Sequence, residues 1–231
     1  MPAFKVLLTT SGTGSRLGEL TKTTNKALVP INGKPAITYI IDRYAAEVEF
    51  VVTLGYLGEQ VREALTRLYP QRAFHFVQVD LFQGPGSSLG YSMLAAESML
   101  QEPFVFHCCD TIVLDDVPAP DGNWIGGFEL EDASQYRTLK VVGDEVVGLN
   151  DKGEPGFNSI HVGLVGFQDY ASFWKHLHSI YEGDPLDQTL NDTFVINGML
   201  QDKVHFKFLP LKTWYDTGNP SALARTTASL T

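Results

Sequence analysis

Two glycines, an arginine and a lysine near the amino terminus have the types and spacing of a phosphate-binding loop. Gly12 and Gly14 are separated by one residue, Arg16 follows, and Lys26 comes ten residues later. Glycine lets backbone N–H groups converge on an anion because no Cβ stands in the way, and the two cations supply countercharge. Residues 6–8 are apolar, so the loop leaves the end of a predicted strand. We expect this loop to bind a nucleoside triphosphate.

The elements that must position this loop alternate along the first half of the chain. Apolar, strand-like runs are separated by segments whose apolar residues recur at helical spacing. The strand-like runs lie at residues 4–10, 50–54, 74–79 and 104–109. This alternation predicts a mainly parallel, Rossmann-like sheet flanked by helices, an α/β fold. After residue 115 the pattern becomes antiparallel, with a predicted hairpin turning at residues 143–144.

Composition restricts the possible partners. The net charge is −10, which argues against a nucleic-acid partner, since phosphate backbones require a basic surface. Residues 16–34 nevertheless contain four basic residues and one acid, enough to attract a small anion locally. No apolar run is long enough for a membrane span, so we expect no membrane partner. The two cysteines, Cys108 and Cys109, are adjacent, where a disulfide would be strained, and this favours a reducing, cytoplasmic setting.

The glycine loop differs from two common nucleotide-binding motifs. Leu17 stands where a dinucleotide-binding loop has its third glycine, and no Gly-Lys-Ser/Thr ends the loop as in a Walker A site. The longer pattern over residues 9–35 is G-x-G-x-R-L, then Leu-Thr, K-x-L-x-P and G-K-P. It resembles the signature of the nucleotidyltransferase family that activates sugar 1-phosphates and related metabolites.

The resemblance has departures. Thr10 and Ser11 replace a small apolar pair, Glu19 stands where proline is usual, and Asn25 replaces the proline before the lysine. The glycine turn and both cations remain, so the resemblance implies a divergent subfamily that still binds phosphate. It assigns Arg16 and Lys26 to catalysis, and the nucleotide-binding role to Ser11, Gly12, Thr13, Gly14, Gly86, Ser87 and Ser88. Ser87 could equally be a plain helix N-cap.

Two carboxylates are candidates for the metal site. Asp110 follows a buried apolar run, so it should emerge at the same sheet edge as the glycine loop, where open α/β folds bind ligands. A turn-capping role is its alternative. Asp216 lies in Trp-Tyr-Asp-Thr-Gly-Asn-Pro, which resembles the family's carboxyl-terminal element; alone it would be read as a turn. The resemblance implies that Asp110 and Asp216 together hold Mg²⁺ as the cofactor.

The resemblance also implies an acceptor site and a reaction. Lys152 and Asn158 lie where the family contacts the acceptor phosphate and sugar, although Lys152 could be part of a solvated turn. One domain over residues 1–231 is expected, with a nucleotide-binding half at about 1–115 and an acceptor-binding half at about 116–231. The expected partners are a nucleoside triphosphate and a phosphorylated small-molecule acceptor.

The implied activity is transfer of a nucleoside monophosphate to a sugar phosphate. The products would be an NDP-sugar and pyrophosphate, for surface polysaccharide or glycoconjugate synthesis. A cytidylyltransferase that acts on a non-sugar phosphate such as phosphocholine is one alternative. A non-catalytic nucleotide sensor or partner subunit is another, and the sequence leaves the base, the acceptor and the oligomeric state open.

Overall fold

The computed structural model describes residues 4–154, 157 and 159–230 of the chain. The strands are β1 (Lys5–Thr9), β2 (Pro30–Ile31), β3 (Lys34–Pro35), β4 (Glu49–Leu54), β5 (Phe74–Gln78), β6 (Phe104–His107), β7 (Thr111–Ile112), β8 (Trp124–Glu129), β9 (Thr138–Val142), β10 (Glu145–Asn150), β11 (Ser159–Phe167), β12 (Lys207–Pro210) and β13 (Tyr215–Asp216). The α-helices are α1 (Ala36–Ile41), α2 (Gly58–Leu68), α3 (Leu89–Ala96), α4 (Tyr170–Gly183), α5 (Asp192–Gln201) and α6 (Pro220–Ser229). Short 3₁₀ helices lie at Ser15–Thr21, Lys26–Leu28 and Glu97–Met99.

A mixed sheet runs through both halves of the chain. Within the described residues it has nine strands in the order β5-β4-β1-β6-β11-β8-β12-β10-β9. The first four are parallel neighbours, β11 is antiparallel to β6, and β8 is antiparallel to β11. Beyond them, β12 is parallel to β8, whereas β10 is antiparallel to both β12 and β9. The predicted α/β fold class is confirmed: the sheet strands of the first half are parallel to one another, and those of the second half are mainly antiparallel, with β12 and β8 as a parallel pair.

Both faces of the sheet are covered by apolar packing. In β1, Val6 and Leu8 belong to one buried cluster and Leu7 to the other, so successive residues serve opposite faces. This explains why the strand reads as a continuous apolar run in the sequence. On the second face, Phe104 stacks on Trp174 of α4 with ring centroids 5.5 Å apart. Such packing fixes β6, and therefore the residues that follow it.

The sheet brings the glycine loop and Asp110 to one edge. β1 and β6 are hydrogen-bonded parallel neighbours, so their carboxyl ends lie side by side. A small antiparallel pairing of β13 with β7 then sets Asp216 opposite Thr111. The backbone N–H of Thr217 also donates to the carbonyl of Asp110 at 3.0 Å. Segments about a hundred residues apart are thereby joined at the carboxyl edge of the parallel strands.

The unusual polar residues of the loop are buried and hydrogen-bonded. Thr10 Oγ1 donates to the carbonyl of Thr53 at 2.7 Å, and the hydroxyls of Ser11 and Ser92 lie 2.7 Å apart. Asn25 is fully buried and caps the 3₁₀ helix that begins at Lys26. These contacts give three of the departures from the family pattern, Thr10, Ser11 and Asn25, a structural role in holding the loop, whereas Glu19 is exposed.

No helix within residues 4–154, 157 and 159–230 is long and apolar enough to cross a membrane.

Replacing Asn25 should destabilise the loop because its amide makes three buried hydrogen bonds. Nδ2 donates to the carbonyls of Thr10 (2.9 Å) and Tyr56 (2.7 Å), and Oδ1 accepts from the N–H of Ala27 at 2.9 Å. We expect Asn25→Ala to lower the free energy of unfolding by about 2–4 kcal/mol, measured by urea denaturation. Asn25→Asp keeps only the acceptor, so it should also be destabilising. Wild-type stability in both variants would contradict this role.

Candidate active site

Asp110 is the centre of the candidate site. Its Oδ2 lies 3.6 Å from Nζ of Lys26 and 3.5 Å from Nη2 of Arg16, and its Oδ1 accepts a hydrogen bond from the Cys108 thiol at 2.9 Å. The side chains of Asp110 and Lys26 are only 17% and 19% exposed, whereas that of Arg16 is 65% exposed. The carboxylate therefore lies between a buried cation, Lys26, and an exposed one, Arg16.

The charges of this cluster stabilise one another. Burial alone would raise the pKa of Asp110, but Lys26, the Cys108 hydrogen bond and Arg16 lower it below its ordinary value. Burial likewise opposes the charge of Lys26, yet the pKa of Lys26 is raised overall, and the neighbouring Asp110 carboxylate contributes to that rise. At neutral pH the site accordingly holds an ionised carboxylate between two cations. Burial raises the pKa of both the Cys108 and Cys109 thiols, which keeps them protonated.

The glycine turn places Lys26 beside Asp110. Gly14 has a φ of 65°, in the left-handed region, and a Cβ there would lie 2.9 Å from the Cβ of Lys26. Only glycine fits both constraints without displacement. The hydroxyl of Thr21 donates to the Gly14 carbonyl at 3.0 Å and stabilises the turn. The second glycine of the motif is thus required for close packing of the loop against the lysine.

Asp216 approaches the same point from the carboxyl-terminal segment. Its Oδ1 accepts from the N–H of Gly218 at 2.7 Å, and its Oδ2 accepts from the hydroxyl of Tyr136 at 3.1 Å. A Cβ at Gly218 would lie 3.0 Å from Asp216 Oδ1, 3.2 Å from Asp110 Oδ2 and 3.4 Å from Arg16 Nη2. The two candidate metal ligands and Arg16 therefore surround one position.

A cavity of about 350 Å³ adjoins Asp110 on the side of the glycine loop. The predicted nucleotide-binding and catalytic residues that line it are Ser11, Gly12, Thr13, Arg16, Lys26, Ser87 and Ser88. Gly14 and Gly86 are outside this lining. Gly86 instead donates its N–H to the carbonyl of Leu186 at 3.0 Å. Ser88 accepts from the N–H of Tyr91 at 3.0 Å, so the N-cap of α3 is Ser88 rather than Ser87.

A second cavity, of about 720 Å³, lies on the other side of Asp110. Lys152 and Asp216 line it, and Arg16, Cys108 and Asp110 line both cavities. The predicted acceptor residue Asn158 lies outside the described residues. The two cavities consequently meet at the carboxylate and the arginine, an arrangement suited to bringing two bound reactants together.

The sequence reasoning missed several residues of the larger cavity. They are Gln135, Tyr136, Arg137, His161, Asn191, Asp192, Thr193, Trp214, Ser221 and Arg225. Most come from the antiparallel half and from α5, whose side chains reach the cavity only through the folded sheet. Trp214 is the first residue of the Trp-Tyr-Asp-Thr-Gly-Asn-Pro motif. Its position two residues before Asp216 is the one feature of the sequence that could have placed it at this cavity.

A third cavity, of about 700 Å³, lies at the opposite edge of the parallel strands, beside Lys5 and Glu49. Those residues begin β1 and β4, so this cavity is remote from Asp110.

The donor set around Asp110 suits a hard divalent cation. Asp110 and Asp216 offer carboxylate oxygens at one position, and Mg²⁺ prefers oxygen ligands from one or two carboxylates together with substrate phosphates. Among the described residues no group of three His, Cys, Asp or Glu side chains could hold a metal ion. Phosphate oxygens and water would have to complete the coordination.

The first half of the chain is similar to a known family. Residues 6–117 match the family described as "MobA-like NTP transferase domain". The chain is 26% identical over 233 residues to the low-salt glycan biosynthesis nucleotidyltransferase Agl11 of Haloferax volcanii, covering 94% of this chain and 63% of Agl11. It therefore spans less than two thirds of that relative's length.

Two cytidylyltransferases are also similar to the chain. The 2-aminoethylphosphonate cytidylyltransferase of Lancefieldella rimae is 27% identical over 198 residues, covering 83% of this chain and 74% of that protein. The solved structure of CTP:phosphocholine cytidylyltransferase LicC from Streptococcus pneumoniae superposes with a TM-score of 0.82 at 18% identity, covering 100% of both chains. The fold is thus shared with nucleotidyltransferases, and the predicted resemblance to that family is confirmed.

Neutralising Asp110 should destabilise the protein, because Lys26 would lose its buried countercharge. We expect Asp110→Asn to lower the free energy of unfolding by about 1–3 kcal/mol at pH 7, measured by urea denaturation. The folded-state pKa of Asp110 is lowered, so its contribution is present above the unfolded-state pKa and is lost as the pH falls through the folded-state pKa.

The difference between wild type and Asp110→Asn should therefore shrink below about pH 4. Asp202→Asn is the matched control, because Asp202 is 54% exposed and pairs at the surface with Lys175. A variant as stable as wild type at pH 7 would show that the cluster does not depend on this charge.

Proposed function

Because residues 6–117 belong to the MobA-like NTP transferase domain family, we propose that the chain is a nucleotidyltransferase acting on a sugar phosphate. It would transfer a nucleoside monophosphate from a nucleoside triphosphate to the phosphorylated acceptor. The products would be an NDP-sugar and pyrophosphate, for surface polysaccharide or glycoconjugate synthesis. A cytoplasmic location fits this proposal because nucleoside triphosphates are available there.

The observation that carries the proposal is the position of Asp110 and Arg16 where the two cavities meet. The smaller cavity has the glycine loop and both cations of the nucleotide side, and the larger one has Lys152 and Asp216. A transfer reaction requires both substrates to be held with their reacting groups adjacent. The family match of residues 6–117 supports the same assignment of the smaller cavity to the triphosphate.

The proposed step is an in-line displacement at the α-phosphorus. An oxygen of the acceptor phosphate attacks, its bond to the α-phosphorus forms, and the bond from the α-phosphorus to the bridging oxygen of pyrophosphate breaks. Backbone N–H groups of the Gly12–Gly14 turn and the Arg16 guanidinium would bind the β- and γ-phosphates and stabilise the leaving pyrophosphate. Lys26 would offset the charge that develops at the α-phosphate. Positioning and charge neutralisation supply most of the acceleration in such transfers.

Asp110 and Asp216 would hold Mg²⁺, which would draw the triphosphate and the acceptor phosphate together and neutralise part of their charge. The hydrogen bonds that Asp216 accepts from Tyr136 and Gly218 restrict the orientation of its carboxylate. The lowered pKa of Asp110 keeps that ligand ionised at neutral pH.

Other residues of the two cavities are also given roles in this proposal. Ser11, Thr13, Ser87 and Ser88 are proposed to contact the nucleotide, because all four line the smaller cavity. Lys152 is proposed to bind the acceptor phosphate, because it lines the larger cavity with Arg137; burial and the nearby Arg16 and Arg137 lower its pKa. We also propose that residues 1–231 act as one domain, with the halves dividing near residue 115.

A cytidylyltransferase that acts on a non-sugar phosphate is the second candidate. The similarity to 2-aminoethylphosphonate cytidylyltransferase over 83% of the chain favours it. A non-catalytic nucleotide sensor is the third, and the joint presence of Arg16, Lys26, Asp110 and Asp216 at one site argues against it.

A pyrophosphate assay separates these functions. Each of four nucleoside triphosphates is mixed with sugar 1-phosphates, phosphocholine and 2-aminoethylphosphonate in the presence of Mg²⁺. We expect pyrophosphate with one base and a sugar phosphate. Release only with CTP and an amine-bearing acceptor would support the second candidate, and nucleotide binding without release from any pair would support the sensor.

Lys26→Met should reduce pyrophosphate release by about 10²- to 10³-fold, because it removes charge stabilisation at the α-phosphate and keeps the length of the side chain. Lys22→Met is the matched control: Lys22 is exposed and pairs with Glu19 at 2.7 Å. It should retain wild-type turnover. Full pyrophosphate release by a folded Lys26→Met protein would remove Lys26 from the mechanism.

A further inference from the structure

A buried histidine–aspartate pair lies in the wall of the larger cavity. His161 on β11 and Asp192 at the start of α5 are 5% and 7% exposed, and Nε2 of the histidine lies 2.7 Å from Oδ2 of the aspartate. Both residues line the cavity that contains Lys152 and Asp216. Removing such a pair from water costs free energy that the attraction between its two members need not recover. Its presence in the cavity wall is therefore more readily explained by a role in binding than by stability.

The pair leaves one hydrogen-bonding atom unused. A carboxylate can only accept, so Nε2 of His161 carries the hydrogen that is donated to Asp192. In the neutral ring Nδ1 then has a free lone pair. Nδ1 is buried and has no hydrogen-bond partner among the residues that the structure describes. An unpaired buried acceptor is unfavourable, and the adjoining cavity is where a partner could come from.

The charges around the cavity restrict what that partner can be. Arg137 and Lys152 contribute cations to the wall, and Arg225 adds a third. If Asp110 and Asp216 hold Mg²⁺, Asp192 is the carboxylate left in this wall, and its Oδ2 is already bonded to His161. An ammonium group on the acceptor would be repelled here, whereas a phosphate with neutral hydroxyl groups is compatible with the excess of cations.

We propose that His161, oriented by Asp192, is a specificity-determining residue whose Nδ1 accepts a hydrogen bond from a hydroxyl group of the acceptor. The inference rests on the proposed nucleotidyl transfer and deepens it: the acceptor is a phosphorylated polyhydroxy compound. Phosphocholine has neither an O–H nor an N–H group to donate to this nitrogen. Asp192 is a positioning residue, because it fixes which ring nitrogen carries the hydrogen.

Two substitutions of His161 separate recognition from structure. In His161→Asn the amide oxygen can occupy the position of Nδ1, so an acceptor atom is kept while the bond to Asp192 is lost. In His161→Gln the amide nitrogen can occupy the position of Nε2, so the bond to Asp192 is kept and the Nδ1 atom is lost. The kinetic constants are measured with α-D-glucose 1-phosphate and other hydroxylated phosphates, with phosphocholine, and with the nucleotide that gives pyrophosphate.

We expect His161→Gln to raise KM for the hydroxylated acceptor about 10-fold or more, with KM for the nucleotide unchanged. His161→Asn should stay closer to wild type. His176→Gln is the matched control, since His176 is 16% exposed and lies 3.2 Å from Oδ2 of Asp202, outside the cavity lining. It should change neither KM.

Results that contradict the role of His161 can be distinguished from results that contradict nucleotidyl transfer. Pyrophosphate release with an unchanged acceptor KM in His161→Gln, or a greater loss in His161→Asn than in His161→Gln, overturns the role of Nδ1 and leaves nucleotidyl transfer standing. Phosphocholine as the preferred acceptor overturns the acceptor class. No pyrophosphate from any pair with the wild-type protein overturns the proposed function, and this inference with it.

Discussion

The burial of the Asp110 carboxylate between Lys26 and Arg16 is the interaction on which the site depends. A carboxylate that is 17% exposed needs compensating charge, and the two cations at 3.5–3.6 Å supply it. Those cations are delivered by a loop that can reach Asp110 only because Gly14 allows close packing against Lys26. The contact also depends on the sheet, because the loop and the carboxylate can meet only if β1 and β6 are neighbouring strands.

This local arrangement gives an acidic protein a cationic site of the kind that the proposed triphosphate requires. The chain carries a net charge of −10, but the cations are gathered where the two cavities meet and along the wall of the larger one. Fields in a cleft depend on nearby charges more than on the total, because solvent and salt screen the distant ones. The acidic surface elsewhere therefore does not prevent phosphate binding at this edge of the sheet.

The sequence predicted the fold class and the lining of the smaller cavity better than the lining of the larger one, for a physical reason. Arg16 and Lys26 follow β1 in a short, ordered motif, and Asp110 follows β6, so their meeting results from the parallel pairing of these two strands. His161 lies on β11, whose antiparallel register depends on long-range contacts and a bulge between His161 and Val165, and Tyr136 lies in the loop that leads into β9. Which of their side chains face the cavity is decided by that register, and no local spacing in the sequence encodes it.

Following the α-phosphorus of the nucleoside triphosphate is the most direct test of nucleotidyl transfer. The protein is incubated with a nucleoside triphosphate labelled with ³²P at the α-position, Mg²⁺ and the phosphorylated acceptor. We expect the label to move into a product in which the nucleoside monophosphate is joined to the acceptor phosphate, with one pyrophosphate formed for each product molecule. Label recovered as free nucleoside monophosphate, or retained in unchanged triphosphate that the protein binds, would contradict nucleotidyl transfer.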